Sequence, residues 1–162
     1  MNLFQANFHS PIGFYKIVSH DRAIVSVQYI SQMVETDYHS SQNEVLRSAI
    51  QQIQEYFKGI RKQFTIPFVV TGTPLMQKIY KTLVQVPYGS TIKYGELAKK
   101  VGIDHGGRFA GNAMARNPLP ILIPCHRVIY ADGSIGSYSA GGEKIKKWLI
   151  DWESAHTGME ER

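Results

Sequence analysis

The chain has 162 residues, of which 43% are hydrophobic, and a formal net charge of +5. These values are typical of a globular protein with one compact domain or two small ones, and they exclude a disordered or fibrous chain. A single cysteine excludes an internal disulfide and favours a reducing compartment. No apolar run approaches the roughly 18 residues of a membrane span, and no signal-peptide pattern opens the chain, so we expect a cytoplasmic protein without a membrane partner.

Residues 1–71 have the pattern of a small α+β unit. Runs of β-branched and aromatic residues predict three strands, over residues 12–18, 23–30 and 64–70. Pro67 favours an edge position for the third strand, because proline has no N–H to donate to a neighbour. The unit carries no motif with evident chemistry, and we expect it to be a structural brace.

One helix is predicted between the second and third of these strands. Ser41 and Glu44 match a capping box, in which the side chains at the N-cap and at the third helical position bond to backbone N–H groups. Apolar residues then recur at helical spacing until Gly59, where the pattern ends. The helix is therefore expected between Ser41 and Gly59.

A change in composition at residues 71–74 predicts a domain boundary. Thr73 and Pro74 are typical of the N-cap and the first residue of a helix, which we expect to end near Gln85. Residues 72–162 would then form a second, mostly helical domain.

Two short helices with a brief connection are predicted next. The first runs from Thr91 to Val101 and stops at Gly102, and the second covers residues 107–116. This arrangement indicates a helix-turn-helix. The second helix is rich in small residues and poor in base-reading side chains, which favours sequence-independent contact with phosphates. The alternative is a tightly packed helix pair within a core, for which the apolar Met114 is well suited.

Basic residues are concentrated in the second domain. Residues 72–148 contain eleven lysines and arginines against four acidic residues, a balance of +7. Such a field suits a polyanionic partner, although many basic proteins bind no nucleic acid.

The only cysteine, Cys125, lies in the sequence Pro-Cys-His-Arg-Val at residues 124–128. A thiol reacts as its thiolate, whose ordinary pKa of about 8.5 falls beside a cationic or hydrogen-bonding group. His126 and Arg127 are two such candidate partners. The preceding apolar run, residues 121–123, predicts a buried strand. The alternative is a cysteine that only fills the core.

The last predicted helix extends from Glu143 to about Asp151. Its apolar face would comprise Ile145, Trp148, Leu149 and Trp152, and its solvated face Lys144, Lys146 and Lys147. Glu153 follows at the carboxyl end, where a carboxylate is disfavoured by about 0.3–1 kcal/mol. Its position therefore suggests a compensating partner.

The sequence Ile123–Val128, with the preceding Asn117-Pro118 and the helix pair, closely resembles the O6-alkylguanine-DNA alkyltransferases. The resemblance covers about residues 72–153. It implies an α+β protein with an N-terminal unit of ribonuclease H-like type and a helical C-terminal domain, whose helix-turn-helix docks in the minor groove. It also implies single-turnover DNA repair by transfer of an alkyl group from O6-alkylguanine, and from O4-alkylthymine, in double-stranded DNA. The expected protein is a monomer without a cofactor. The metal-binding cysteines of some family members are absent, so no metal site is expected.

The resemblance assigns the chemistry to four residues. Cys125 would accept the alkyl group, and His126 would deprotonate the thiol through a bound water. Glu153 would orient that histidine, and Asn117 would brace the turn near the cysteine.

The resemblance also assigns residues to the DNA and to the base pocket. Arg108 would fill the space left by the nucleotide that swings out of the duplex, as such chemistry requires. Tyr94 would crowd the 3′ phosphate and donate a hydrogen bond to the leaving guanine. The remaining DNA contacts on the second helix would be Gly111, Asn112, Met114 and Arg116. The pocket would be lined by Tyr94, Val128, Tyr138 and either Ser139 or a neighbour.

Two other functions are compatible with these residues. A thiol hydrolase would use Cys125 and His126, but adjacent residues of an extended segment point to opposite faces, so a direct pair needs a turn. A lesion-binding protein of the same fold would flip alkylguanine without transfer, which requires an inert Cys125.

Overall fold

A computed structural model describes residues 2–30 and 43–158. The chain divides into two compact units, over Met1–Val69 and Val70–Thr157. The first holds a small sheet and one helix, and the second is mostly helical. This confirms the predicted α+β fold class. Within the described residues, no helix has both the length and the apolar character needed to cross a membrane.

The first unit contains a three-stranded antiparallel sheet. Its strands are β1 (Phe4–Ser10), β2 (Gly13–Ser19) and β3 (Ile24–Ile30), in the order β1-β2-β3. The prediction missed β1, which pairs along its whole length with β2 from Phe4↔Ser19 to Ser10↔Gly13.

Helix α1 (Glu44–Phe57) covers one face of this sheet with aromatic side chains. Phe57 stacks against Phe8 and Tyr15, with ring centroids 6.0 and 6.1 Å away. Asn43 is the N-cap, since its side chain accepts a hydrogen bond from the backbone N–H of Leu46 at 2.8 Å. The predicted cap Ser41 lies outside the described residues, and the observed cap corrects that assignment.

The predicted third strand, residues 64–70, reduces to a single bridge. Phe68 pairs in parallel with Ile24, whose N–H donates to Pro67 and whose carbonyl accepts from Val69, both at 2.9 Å. Pro67 takes part only through its carbonyl, because proline has no N–H to donate. The hydrogen-bond ladder with β3 therefore does not extend further.

The second unit begins with helix α2 (Pro74–Val84), as predicted. Thr73 is the N-cap, and its hydroxyl accepts from the N–H of Met76 at 3.1 Å. Further along this helix, the Tyr80 hydroxyl donates to the carbonyl of Ala113 at 2.6 Å. That bond joins α2 to the second helix of the predicted pair.

The helix pair comprises α3 (Tyr94–Lys100) and α4 (Gly107–Ala115). Gly106 allows their close packing, because a Cβ there would lie 2.7 Å from the Cβ of Ala98. Helix α3 starts three residues later than predicted. Residues Ile92–Lys93 instead form strand β4, which pairs in parallel with β5, Val128–Ile129.

The predicted buried strand at residues 121–123 is a compact loop. Ile121 has a φ of 75°, which is incompatible with a strand. Asn117 braces the loop, since its amide donates to the carbonyl of Ile123 at 2.8 Å and accepts from the N–H of Leu119 at 2.9 Å. A 3₁₀ turn over Cys125–Arg127 then leads into β5.

Helix α5 (Glu143–His156) is longer than predicted, and its buried face differs from the prediction. The buried residues are Lys146, Leu149 and Glu153, at helical spacing i, i+3 and i+7. Trp148 and Trp152 are only half-buried and stack on each other, with centroids 5.0 Å apart. The predicted solvated position of Lys146 is therefore wrong.

Candidate active site

The Cys125 side chain lines a cavity of about 160 Å³ in the second unit. The other lining residues come from α3, α4 and the loop before α5, and they are Tyr94, Gly111, Met114, Ala115, Ser137, Tyr138 and Ser139. Cys125 itself is only 2% exposed. The thiol is thus reached through this cavity, between helix and loop.

Burial and local hydrogen bonding act on the thiol in opposite directions. Burial raises the pKa of Cys125 to about 11, although a hydrogen bond from Asn117 and the charge of Lys146 oppose that rise. The resting thiol is therefore protonated at neutral pH, and it needs a base before it can act as a nucleophile.

His126 lies next to the cysteine and binds a buried carboxylate. Its Nε2 is 2.6 Å from Oε2 of Glu153, and the two residues are 0% and 1% exposed. Burial lowers the pKa of His126, despite the carboxylate, so the ring is neutral. Because an ionised carboxylate can only accept, Nε2 carries the proton and Nδ1 has a free lone pair.

The unprotonated Nδ1 of His126 is the atom available for a proton. It is buried and has no hydrogen-bond partner among the described residues. A buried acceptor without a hydrogen bond costs folding free energy, and proteins retain such groups where they have a function. Nδ1 of His126 is therefore the candidate base of the site.

Glu153 is held in its ionised form by several donors. Burial alone would raise the pKa of Glu153, but His126 and Arg127 lower it well below its usual range. Arg127 donates from Nε and Nη2 to the two carboxylate oxygens at 2.8 and 3.1 Å, and Gly89 donates from its N–H at 3.3 Å. This is the compensating partner that the sequence position suggested.

Arg127, which the sequence offered as a candidate charge partner of the thiol, has Glu153 as its carboxylate partner. Besides Glu153, its guanidinium binds the carbonyl of Val86 at 2.8 Å. It also lies over the ring of Tyr88, 5.7 Å from the centroid. Its direct contacts thus support the carboxylate that orients His126.

Lys146 is a buried cation that the sequence prediction missed. It is 1% exposed, and its Nζ donates to the Tyr94 hydroxyl at 3.1 Å and to the carbonyls of Ile135 and Ser137. Burial lowers its pKa to about 8, against the opposing effect of Cys125 and Glu143. The spacing of Lys146 from Leu149 and Glu153 could have revealed it, since all three share one helix face.

Tyr94 and Arg108 lie at the starts of the two paired helices. Tyr94 is 8% exposed and contributes to the cavity, and burial raises its pKa to about 12. The first residue of α4, Gly107, would bring a Cβ within 3.9 Å of the Tyr94 Cβ, so the helix starts are adjacent. Arg108, the next residue, is exposed.

The other residues predicted on α4 divide between surface and cavity. Asn112 and Arg116 are exposed, whereas Gly111 and Met114 line the cavity. Met114 is buried, at 6% exposure, and is at once a core and a cavity residue.

The predicted pocket residues divide in a similar way. Tyr138 and Ser139 line the cavity, and Ser137 joins them there. Val128 is fully buried in β5 opposite Ile92 and is not among the lining residues.

Comparison with known proteins places both parts of the chain. Residues 74–155 match the family model "6-O-methylguanine DNA methyltransferase, DNA binding domain", and residues 3–70 match its "ribonuclease-like domain". A methylated-DNA--protein-cysteine methyltransferase of Methanosarcina acetivorans is 33% identical over 94% of this chain and 99% of its own. The crystal structure of Mycobacterium tuberculosis OGT in complex with DNA has a TM-score of 0.85 and 30% identity, over 94% of this chain and 93% of its own. The chain therefore belongs to the 6-O-methylguanine DNA methyltransferase family.

Proposed function

We propose that the protein repairs O6-alkylguanine, and also O4-alkylthymine, in double-stranded DNA by moving the alkyl group irreversibly to Cys125. The observation that carries this proposal is that three functional groups lie together in one site. Cys125 lines a cavity, the neighbouring His126 presents an unpartnered nitrogen, and Glu153 fixes that ring from behind. This is the nucleophile, base and orienting group of an activated thiol.

The first step is removal of the thiol proton. His126 takes it at Nδ1, through a water molecule between the two side chains, and becomes an imidazolium stabilised by Glu153. Because the ring already donates from Nε2 to Glu153, the proton has only one nitrogen to go to. Alkyl transfer alone accounts for the arrangement of Cys125, His126 and Glu153, and no hydrolase chemistry at Cys125 is needed to explain it.

The second step is displacement at the alkyl carbon. The thiolate forms a carbon–sulfur bond as the carbon–O6 bond breaks, and the bonding electron pair leaves with the guanine. Tyr94 donates its hydroxyl proton to the departing base, and Lys146 at 3.1 Å stabilises the phenolate and returns a proton. None of the residues that line the cavity cleaves the new carbon–sulfur bond, so each molecule reacts once.

The surface of α4 supports binding to duplex DNA. Its exposed polar residues, Arg108, Asn112 and Arg116, suit phosphate and groove contacts, and its small residues allow a close approach of the helix. A base inside a duplex cannot reach a thiol that is 2% exposed, so the nucleotide must be flipped into the cavity. Arg108 would occupy the space that the nucleotide leaves.

We also propose that the two parts of the chain have different roles. Residues 72–162 would bind DNA and carry the transfer, and residues 1–71 would serve as a structural domain. The match of residues 74–155 to a DNA binding domain supports this division. A monomer in the cytoplasm, without cofactor, remains the expected state.

The test is intact-protein mass spectrometry after incubation with excess O6-methylguanine duplex, followed by peptide mapping. The expected result is one methyl group per molecule, on the peptide that contains Cys125. Tight binding to the same duplex without a mass increment would contradict transfer and favour the lesion-binding function. Repeated turnover of a thiol ester, with no stable adduct, would favour the hydrolase.

A further inference from the structure

Tyr130 is an exposed aromatic residue beside the cavity, and the proposed reaction does not use it. It is 49% exposed, one of the few large hydrophobic side chains in that condition among the described residues. Its ring centroid lies 5.0 Å from that of Tyr94, with the planes tilted by 47°. A residue of the cavity wall thus contacts the Tyr130 ring, and about half of the Tyr130 surface remains open to solvent.

The parallel pairing of β4 with β5 explains why the two tyrosines are neighbours. Ile92 pairs with Val128 and Lys93 with Ile129, so one further step along both strands brings Tyr94 beside Tyr130. The same register also places the exposed Lys93 one residue before this pair.

The backbone around Tyr130 holds the ring in one position. The N–H of Tyr130 donates to the Ser134 carbonyl at 2.9 Å, and its carbonyl accepts from Gly133 at 3.0 Å. Asp132 accepts from the N–H and the hydroxyl of Ser134 at 2.9 and 2.7 Å, which closes the turn. A Cβ at Gly136 would lie 2.6 Å from the Tyr130 ring, so the ring rests directly on glycine backbone. The ring is therefore presented with little conformational freedom to lose on binding.

We propose that Tyr130 is a DNA-contacting residue, whose exposed ring packs against the deoxyribose of the nucleotide next to the flipped one on the lesion strand. This inference rests on the proposed function, because it needs a flipped nucleotide in the cavity that Tyr94 lines. Neighbouring nucleotides of the same strand must then pass close to that cavity, and Tyr130 is an exposed residue in contact with its Tyr94 wall. Contact with a sugar also suits a repair protein that must act beside any base pair.

The test compares alkyl transfer to Cys125 from two substrates, an O6-methylguanine duplex and free O6-benzylguanine. Tyr130→Ala should slow transfer from the duplex roughly tenfold, near the lower end of what loss of an aromatic nucleic-acid contact costs. Its reaction with the free base should stay within about twofold of the wild-type rate, since that substrate lacks neighbouring nucleotides. Tyr130→Phe should react like the wild type with both substrates, because it keeps the ring. Leu75→Ala removes an exposed apolar side chain from α2 and is the matched control.

Three results would overturn the inference. An equal loss on both substrates would mean that the ring only braces Tyr94, and an unchanged duplex rate would mean that it touches no DNA. A duplex effect of Tyr130→Ala that varies with the neighbouring base pair would replace the sugar by a base as the contact. Failure of the proposed function has a different signature, because the wild type would then gain no alkyl group from either substrate.

Discussion

The Nζ atom of Lys146 donates a hydrogen bond to the hydroxyl of Tyr94, 3.1 Å away, and both side chains are at least 92% buried. Among the described residues, Lys146 donates to the Tyr94 hydroxyl and to two backbone carbonyls, and to no carboxylate. A buried cation without a directly bound carboxylate is unfavourable, and this one is retained where the transfer creates negative charge.

The charge of Lys146 should therefore appear in the pH dependence of transfer. Its pKa of about 8 means that the ammonium is present below pH 8 and is lost above it. We expect the ratio of wild-type to Lys146→Met transfer rates to be largest below pH 8 and to fall towards one at higher pH. Rates of O6-benzylguanine reaction from pH 6.5 to 9.5 would measure it.

Lys146→Arg is the matched variant for this experiment, because arginine stays charged throughout the range. Its rate relative to Lys146→Met should not fall above pH 8. A wild-type ratio that is constant across the range would show that Lys146 only anchors the loop at Ile135 and Ser137.

Replacing Glu153 by glutamine should slow transfer without removing the nucleophile. The neutral amide stabilises the imidazolium of His126 poorly, and it can present an N–H where the ring needs an acceptor. We expect a loss of about a hundredfold, at the low end of general base catalysis. Single-turnover kinetics with O6-benzylguanine would measure it, and a rate within a factor of two of wild type would remove Glu153 from the mechanism.

Glu153 should also contribute to stability in a manner that depends on pH. Its pKa in the folded protein lies well below the ordinary 4.5, because His126 and Arg127 outweigh the effect of burial. The unfolded chain thus binds a proton near pH 4.5 that the folded one does not. The contribution is fully present above that pH and is lost as the pH falls further.

Urea unfolding of wild type and Glu153→Gln at several pH values tests this contribution. The difference in the free energy of unfolding should be largest at pH 7 and should shrink below pH 4.5. Asp151→Asn is the control on the same helix, since it breaks an exposed pair with Lys147 that contributes about 0.5 kcal/mol or less. A constant difference between wild type and Glu153→Gln from pH 7 to pH 3 would contradict the prediction.

Cys125→Ser should separate binding from transfer. A serine hydroxyl fits the space of the thiol but is far less nucleophilic, so the variant should bind alkylated duplex with wild-type affinity and acquire no alkyl group. Fluorescence anisotropy with a labelled duplex would measure affinity, and mass spectrometry would measure transfer. Full transfer by this variant would overturn the assignment of the acceptor.

Arg108→Ala should affect duplex DNA more than the free base. The exposed arginine at the start of α4 has no contact with the cavity, and its proposed task is to replace the flipped nucleotide in the stack. We expect about a tenfold or greater loss of transfer rate from the duplex and little loss with O6-benzylguanine. Arg22→Ala removes an exposed arginine of the first unit as a control for net charge. Equal losses on the two substrates would contradict the role.

The sequence predicted those elements whose signals are local. Thr73 and Pro74 defined the start of α2 because a cap and a proline act within one turn, and Gly102 likewise ended the first helix of the pair. Local patterns failed at residues 121–123, where an apolar run has the composition of a strand. There Asn117 holds Ile121 in a left-handed conformation through bonds to residues further along the loop.

The sequence predicts the site residues that lie in one motif or that match the family. It does not predict contacts that depend on how distant segments pack together. The position of Glu153 indicated a partner, but Arg127 was expected beside the thiol, and its bonds to the carboxylate and to Val86 depend on tertiary packing. Lys146 was assigned to solvent because lysine is rarely buried. Only the shared helix face with Glu153 marked it as different.

The burial of Cys125 has a further consequence for a protein that reacts once. Thiolates attack peroxides and disulfides, and the resulting oxidation of the only cysteine would inactivate a molecule before it met a lesion. A thiol that is 2% exposed, with its pKa raised to about 11, is mostly protonated and poorly accessible to such reagents. The burial that keeps the thiol protonated thus also protects the unreacted protein from oxidation.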